Sequence, residues 1–175
     1  MKSIYVYAFT ALLLTAGLAS AQSPKATETA SIGGKKVTIN YSAPSVRGRK
    51  IFGEGGQISK DPNYPVWRAG ANSATALHTD ADLTVGGLSV PKGDYTIYVN
   101  LQDPNNWELI INKQTGQWGL TYDKGQDLGR VKMTMTKPAA PVEVMKYTLT
   151  DLGGGKGKLD LAWDTHIGSV MLTAK

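Results

Sequence analysis

Three of the four arginines in this chain, Arg47, Arg49 and Arg68, fall within one irregular stretch, whereas its lysines are scattered along the whole length. Arginine presents a planar fork of donors matched to a carboxylate, a phosphate or an aromatic face, so its placement carries more chemical meaning than that of lysine. With Trp67 and Trp118 as ring platforms and Asn72 as an amide donor and acceptor, this set describes a pocket for a small anionic or carbohydrate-like ligand. The competing account is that the arginines tie their own loop down by bonding backbone carbonyls and buried carboxylates.

Other chemistries find less support. His78 with Asp80, and Asp164 with His166, each place an imidazole and a carboxylate two residues apart, on one face of an extended backbone. Four such groups would hold a metal only if the two pairs met. Pairs of this kind at strand ends are ordinarily solvated, so no metal and no other cofactor is expected. The absence of cysteine removes thiol catalysis, thiolate ligation and disulfide stapling. No Gly-x-Ser-x-Gly elbow occurs, and an envelope hydrolase would use His78 or His166 with a nearby Asp, metal-assisted or not. Gly53-Glu54-Gly55-Gly56 lacks the trailing Lys-Ser/Thr of a phosphate loop. Asp61-Pro62-Asn63 and Asp103-Pro104-Asn105 read as turns and not as calcium loops.

The elements that must position these residues are strands. Val37, Ile39 and Tyr41 alternate with polar neighbours; Tyr95, Ile97, Val99 and Leu101 do the same, as do Trp107, Leu109 and Ile111, and Val131, Met133 and Met135. Further strand patterns cover residues 142–149, 158–163 and 167–173, with short pieces at 74–78 and 83–85. Glycine pairs and triplets at 33–34, 86–87 and 153–155 supply turns. The expectation is an all-β, single-domain antiparallel sandwich or barrel of roughly nine or ten short strands. Residues 42–72 and 114–129 carry too much glycine and proline for regular structure, and long loops of this kind are often functional.

The chain opens with Lys2, an uncharged apolar run over residues 4–19, and Ala19-Ser20-Ala21. That is the layout of an export signal cleaved before Gln22, and the run is short of the ~20 residues a spanning helix needs. Residues 1–21 are therefore expected to be removed, leaving 22–175 as one β domain, periplasmic or extracellular, with no membrane span. Loss of Lys2 takes the formal charge from +5 to about +4. That modest excess, with lysines interspersed among acids, does not describe a nucleic-acid surface.

Four ordered motifs carry a family resemblance: Tyr41-Ser42-Ala43-Pro44-Ser45-Val46-Arg47-Gly48-Arg49-Lys50-Ile51-Phe52-Gly53, then Val66-Trp67-Arg68-Ala69-Gly70-Ala71-Asn72-Ser73-Ala74-Thr75, then Pro91-Lys92-Gly93-Asp94-Tyr95-Thr96, then Gln117-Trp118-Gly119. Together they resemble the exported bacterial family catalogued as domain of unknown function 2911, over roughly residues 23–149. Ala43 stands where that family commonly has arginine, and Ser73 where it commonly has glutamate. The resemblance implies export and a single fold unit, and it brings no activity with it. The residues themselves favour a non-enzymatic binding module; an envelope hydrolase and a structural or interaction protein of the cell envelope are the alternatives.

Overall fold

The computed structural model describes residues 22–175, so the expected leader, residues 1–21, lies outside the described residues. Thirteen strands are present among them: β1 (Lys25–Ile32), β2 (Lys35–Ser42), β3 (Val66–Trp67), β4 (Thr75–Thr79), β5 (Leu83–Val85), β6 (Leu88–Val90), β7 (Gly93–Asn100), β8 (Glu108–Asn112), β9 (Asp127–Lys132), β10 (Thr134–Thr136), β11 (Val142–Gly153), β12 (Lys156–Asp164) and β13 (His166–Ala174). One sheet runs β1-β2-β4-β7-β8-β9, with β3 on β7. The other runs β11-β12-β13-β5-β6, with β10 on β13. Apolar residues from both sheets, among them Val37, Ile39, Ile97, Leu109, Leu159, Leu161 and Val170, form one buried cluster between them. Neither sheet closes on itself, so the fold is a sandwich and not a barrel.

The strand number exceeds the expected nine or ten because β1, β3 and β6 join the expected set and because the run Val131, Met133, Met135 breaks at Met133 into β9 on one sheet and β10 on the other. In β1, Ala26, Ala30 and Ile32 alternate with Lys25, Thr27, Thr29 and Ser31, but Glu28 interrupts the inward set, and all eight residues pair with β2. β3 and β6 are two and three residues long, too short for any alternation to register. β1 also lies beside β11, where the Leu149 amide donates to Glu28 Oε1 at 2.9 Å. A buried-facing carboxylate that takes a backbone N–H is a cross-sheet tie that no hydropathy pattern announces.

Alternation fails in a second informative place. Thr96 and Tyr98 on β7 point away from the core, yet both are buried. The second irregular segment crosses that outer face: Thr96 Oγ1 donates to the Gln114 carbonyl at 2.7 Å, Tyr98 O–H to the Thr121 carbonyl at 2.9 Å, and Asn112 Nδ2 to the Asp123 carbonyl at 2.9 Å. Arg130, the one arginine outside the first loop, anchors the same segment, donating to Tyr122 Oη at 2.7 Å and Asp127 Oδ2 at 3.0 Å. Burial, and then the Asp127 carboxylate, push the Tyr122 phenol up to about 12.

The first irregular segment, residues 42–72, carries its own apolar residues inward. Ile51 and Ile58 are buried, and Phe52 meets Trp67 at 5.9 Å, Trp107 at 5.0 Å and Trp163 at 5.9 Å between ring centroids. Trp67 and Trp107 belong to one side of the sandwich and Trp163 to the other, so the loop is wedged between the sheets. This wedge holds the arginines.

Candidate functional site

Arg47 and Gly48 both have left-handed φ, 49° and 66°, which turns the chain sharply after Val46. The base of this turn is pinned to β11: the Val46 amide donates to the Glu143 carbonyl at 2.8 Å, and the Arg47 amide to Glu143 Oε1 at 2.9 Å. Arg49 then folds back, donating from Nη2 to the Ser45 carbonyl at 2.6 Å and from Nε to the Val46 carbonyl at 3.1 Å. Its guanidinium is thereby held in one place.

Arg68 leaves β3 into a second constrained stretch. Ala69 is fully buried with φ 48°, and Asn72 has φ 60°. Left-handed conformations at non-glycine residues cost on the order of 1–3 kcal/mol each and persist only where the surroundings impose them. Here the Ala69 carbonyl accepts from Thr75 Oγ1 at 3.0 Å and Tyr147 O–H at 2.9 Å. The Asn72 carbonyl accepts the Gly119 amide at 2.9 Å, and Ser73 forms a bridge with Trp118. The two tryptophan-containing motifs are therefore zipped together. Burial drives the Tyr147 phenol far above its ordinary value.

Two cavities open beside these stretches. The smaller, about 130 Å³, is bordered by Ser23, Arg49, Asp61, Trp67, Arg68 and Trp163 among others. The larger, about 240 Å³, is bordered by Ser23, Arg47, Arg49 and Asn72 among others. Ser23 and Arg49 are common to both, so the cavities adjoin there. Arg68 Nη2 stands 3.7 Å from Asp61 Oδ1, an ion pair too long for a hydrogen bond. Burial pushes the Asp61 carboxyl up, while the Arg68 charge pulls the other way. Arg68 Nε and Trp163 Nε1 are buried with no hydrogen-bond partner.

Five of the six residues expected to bind ligand thus border these cavities: Arg47, Arg49 and Asn72 the larger, Arg49, Trp67 and Arg68 the smaller. Trp67 is only 2% exposed, and its ring stacks on Trp163 at 5.7 Å. It belongs to a floor and is not a free platform. Trp118 borders neither cavity and is 52% exposed. Asp61, Ser23 and Trp163 were not among the residues expected from the sequence to line a site. Asp61 shares its Asp-Pro-Asn context with Asp103, whose carboxylate caps its own turn by accepting the Asn105 amide at 2.9 Å and Asn106 Nδ2 at 2.7 Å. Identical tripeptides thus have different uses, and only the fold separates them.

The two His/Asp pairs lie on different sheets, His78 on β4 and His166 on β13. Among the described residues, no group of three or more His, Asp or Glu is placed to hold a metal ion. His166 packs on Trp107 at 5.3 Å and Phe52 at 4.6 Å, and burial lowers its pKa. His78 lies between two carboxylates, with Nε2 2.8 Å from Asp80 Oδ1 and Nδ1 2.7 Å from Asp94 Oδ1. Only the doubly protonated ring donates to both, so these bonds, Asp80 foremost, raise the His78 pKa. The Asp80 carboxyl is correspondingly lowered by His78. A raised folded-state pKa contributes stability that is complete below the ordinary histidine value, about 6.5, and is lost as pH rises through the folded value. The lowered Asp80 pKa contributes stability that disappears as pH falls through it. The melting-temperature gap between wild type and His78→Gln is therefore expected to be widest in mildly acidic solution and to close in alkaline solution. A gap independent of pH would contradict the doubly donating ring.

Among the described residues, no helix is long and apolar enough to cross a membrane. No curated protein and no solved structure matches the chain. The model of one family does match, over residues 23–172, and that span contains both loops, the smaller cavity, all of the larger cavity's lining but Gln22, and most of each sheet. The chain belongs to the family described as Protein of unknown function (DUF2911).

Proposed function

We propose that this protein is an exported, non-enzymatic binding module that takes a small anionic ligand at the paired cavities around Arg49. The observation that supports this is the convergence of Arg47, Arg49 and Arg68 on two adjoining cavities. A guanidinium is a planar fork of donors matched to a carboxylate or a phosphate. Strain at Arg47, Ala69 and Asn72, held by surrounding hydrogen bonds, supports a site shaped before the ligand arrives. Export rests on the leader pattern of residues 1–21.

A second reading has its own observation: Arg49 bonds the Ser45 and Val46 carbonyls, as a loop-locking residue would. Arg68→Gln separates the two, because glutamine keeps the stem and removes the charge. The binding reading expects about tenfold weaker binding of a carboxylate or phosphate probe in calorimetry, with the melting temperature within about 3 °C of wild type. A drop of many degrees, together with no anion response in either protein, would establish the locking role instead.

A further inference from the structure

Trp118 is the residue of the expected binding set that the arginine cavities leave out, and it stands half in solvent, outside the apolar core. A single exposed ring needs no special account. This one differs because its backbone is clamped. The Ala74 amide donates to the Gln117 carbonyl at 3.1 Å, the Gly119 amide to the Asn72 carbonyl at 2.9 Å, and the Thr121 amide to the Trp118 carbonyl at 2.8 Å. Gln117 Nε2 also donates to Tyr98 Oη at 3.2 Å. The ring gains little from packing, yet the chain that carries it is held on both sides.

The same bonds set the direction of the ring. In the antiparallel bridge of Ser73 with Trp118, the residues on either side carry the hydrogen bonds, so the two form a non-hydrogen-bonded pair. Such a pair has its side chains close together on one side. Gly119 faces Arg68, since a Cβ there would lie 2.6 Å from Arg68 Cδ. Neighbours in an extended chain point opposite ways, so Trp118 turns away from Arg68 and lies beside Ser73.

Ser73 borders a third cavity, about 180 Å³, together with Lys25, Asn40, Ala74 and Ala76 among others. β2 and β4 pair only as far as Asn40 with Ala76, and the cavity opens where the two strands part. Asn40 and Ala76 are exposed while Ile39 and Leu77 beside them are buried, which places the cavity on the outer face of this sheet. Lys25 and Ser73 are exposed too, so the polar groups of this lining meet solvent directly. Thr27 Oγ1 donates to Asn40 Oδ1 at 2.7 Å, which leaves Asn40 Nδ2 to donate outward. The small side chains of Ala74 and Ala76 leave room above the sheet. No carboxylate borders this cavity, and it shares no lining residue with either arginine cavity.

An aromatic ring beside accessible amide, hydroxyl and ammonium groups suits a ligand with an apolar face and a rim of hydroxyls. A pyranose ring has both: its C–H face lies against an indole, and its hydroxyls donate and accept at once. With one ammonium and neither carboxylate nor guanidinium, the lining selects by hydroxyl pattern more than by charge. We infer that this groove is a second binding site, for a neutral oligosaccharide, with Trp118 stacked on one sugar ring and Asn40, Ser73 and Lys25 bonding its hydroxyls. The clamped backbone holds the platform in place before the sugar arrives. The site is separate from the anion-binding reading and does not depend on it.

The test is an NMR titration of the chain with cellotetraose, maltotetraose and chitotetraose, following the indole and side-chain amide N–H signals. At least one of the three is expected to move the Trp118 indole and the Asn40 amide saturably, while the buried indoles of Trp67, Trp107 and Trp163 stay in place. Trp118→Ala is expected to weaken that saccharide about tenfold and Trp118→Tyr to keep it within about threefold, a stacked ring being worth roughly that. Asn40→Ala is expected to weaken it about fivefold. Unchanged melting of the three variants shows that the losses are not unfolding. No response of Trp118 to any of the three would overturn the inference. So would cyclohexanol, a ring with one hydroxyl, binding as tightly as the saccharides. A Trp118 signal that moved with protein concentration alone would show that a second copy covers the ring, which also overturns it.

Discussion

Trp67→Ala is expected to lower the melting temperature by on the order of 10 °C, the largest single-residue effect anticipated outside the strands' own aliphatic core. Trp67 is 2% exposed and packs its ring against Trp163 at 5.7 Å, Phe52 at 5.9 Å and Trp107 at 6.4 Å. Deleting a fully buried aromatic ring costs roughly 3–5 kcal/mol, because the lost transfer free energy is joined by a cavity that its neighbours only partly fill. For a chain of this size each kcal/mol is worth about 2–4 °C. The loss matters more here than in an ordinary core because Phe52 wedges the arginine loop against the same rings. Calorimetric or circular-dichroism melting checks it, with Trp118→Ala as the contrast. Trp118 is 52% exposed, and its removal should shift the midpoint by about 2 °C or less. If the two variants melted alike, the aromatic wedge would not be what holds the loop.

Gly119→Ala is the second large effect, and it acts through sterics and not through backbone freedom. A Cβ built at Gly119 would lie 2.6 Å from Arg68 Cδ and 2.7 Å from the Asn72 carbonyl oxygen. The arginine stem can give way, but the carbonyl is backbone, and it already accepts the Gly119 amide at 2.9 Å. The strand-like contact between the two tryptophan-containing segments must therefore open. Overpacking of this kind costs about 1–3 kcal/mol. Because the displaced atoms belong to Arg68 and to the left-handed Asn72, the change should reach both cavities. A midpoint lowered by several degrees is expected together with weaker binding of whichever anion the wild type takes. A variant that melted as wild type does would show that the segment from Arg68 to Asn72 yields easily, contrary to its bonds at Ala69 and Asn72.

The two variants probe different ends of one construction. Trp67 supports the arginine loop from beneath, through ring packing shared by both sheets. Gly119 permits the second loop to approach the first closely enough for Ser73 and Trp118 to pair. A site built from two irregular segments needs both, since outside the two-residue β3 and the start of β9 neither segment has a regular hydrogen-bond ladder to set its position.

Much of the sheet structure could be read from alternation alone. Trp107, Leu109 and Ile111 are buried in phase, as are Tyr95, Ile97 and Val99, because a strand with one face in the core must put every second residue there. The arginine cluster was equally visible, since residue type and local spacing are properties of the chain. What stayed hidden depends on contacts between distant segments. The burial of Thr96 and Tyr98 comes from residues 114–121 lying over them, and β1 exists by pairing with β2 and meeting β11. Sequence by itself determined an all-β chain, its loops and its stock of donors. The tertiary structure alone decided that Arg49 joins two cavities, that Ser23 helps wall both, and that Asp61 faces Arg68 where Asp103 merely caps a turn. The reason is physical: a side chain's donor count is local, but whether that donor finds a partner depends on which remote segment folds against it.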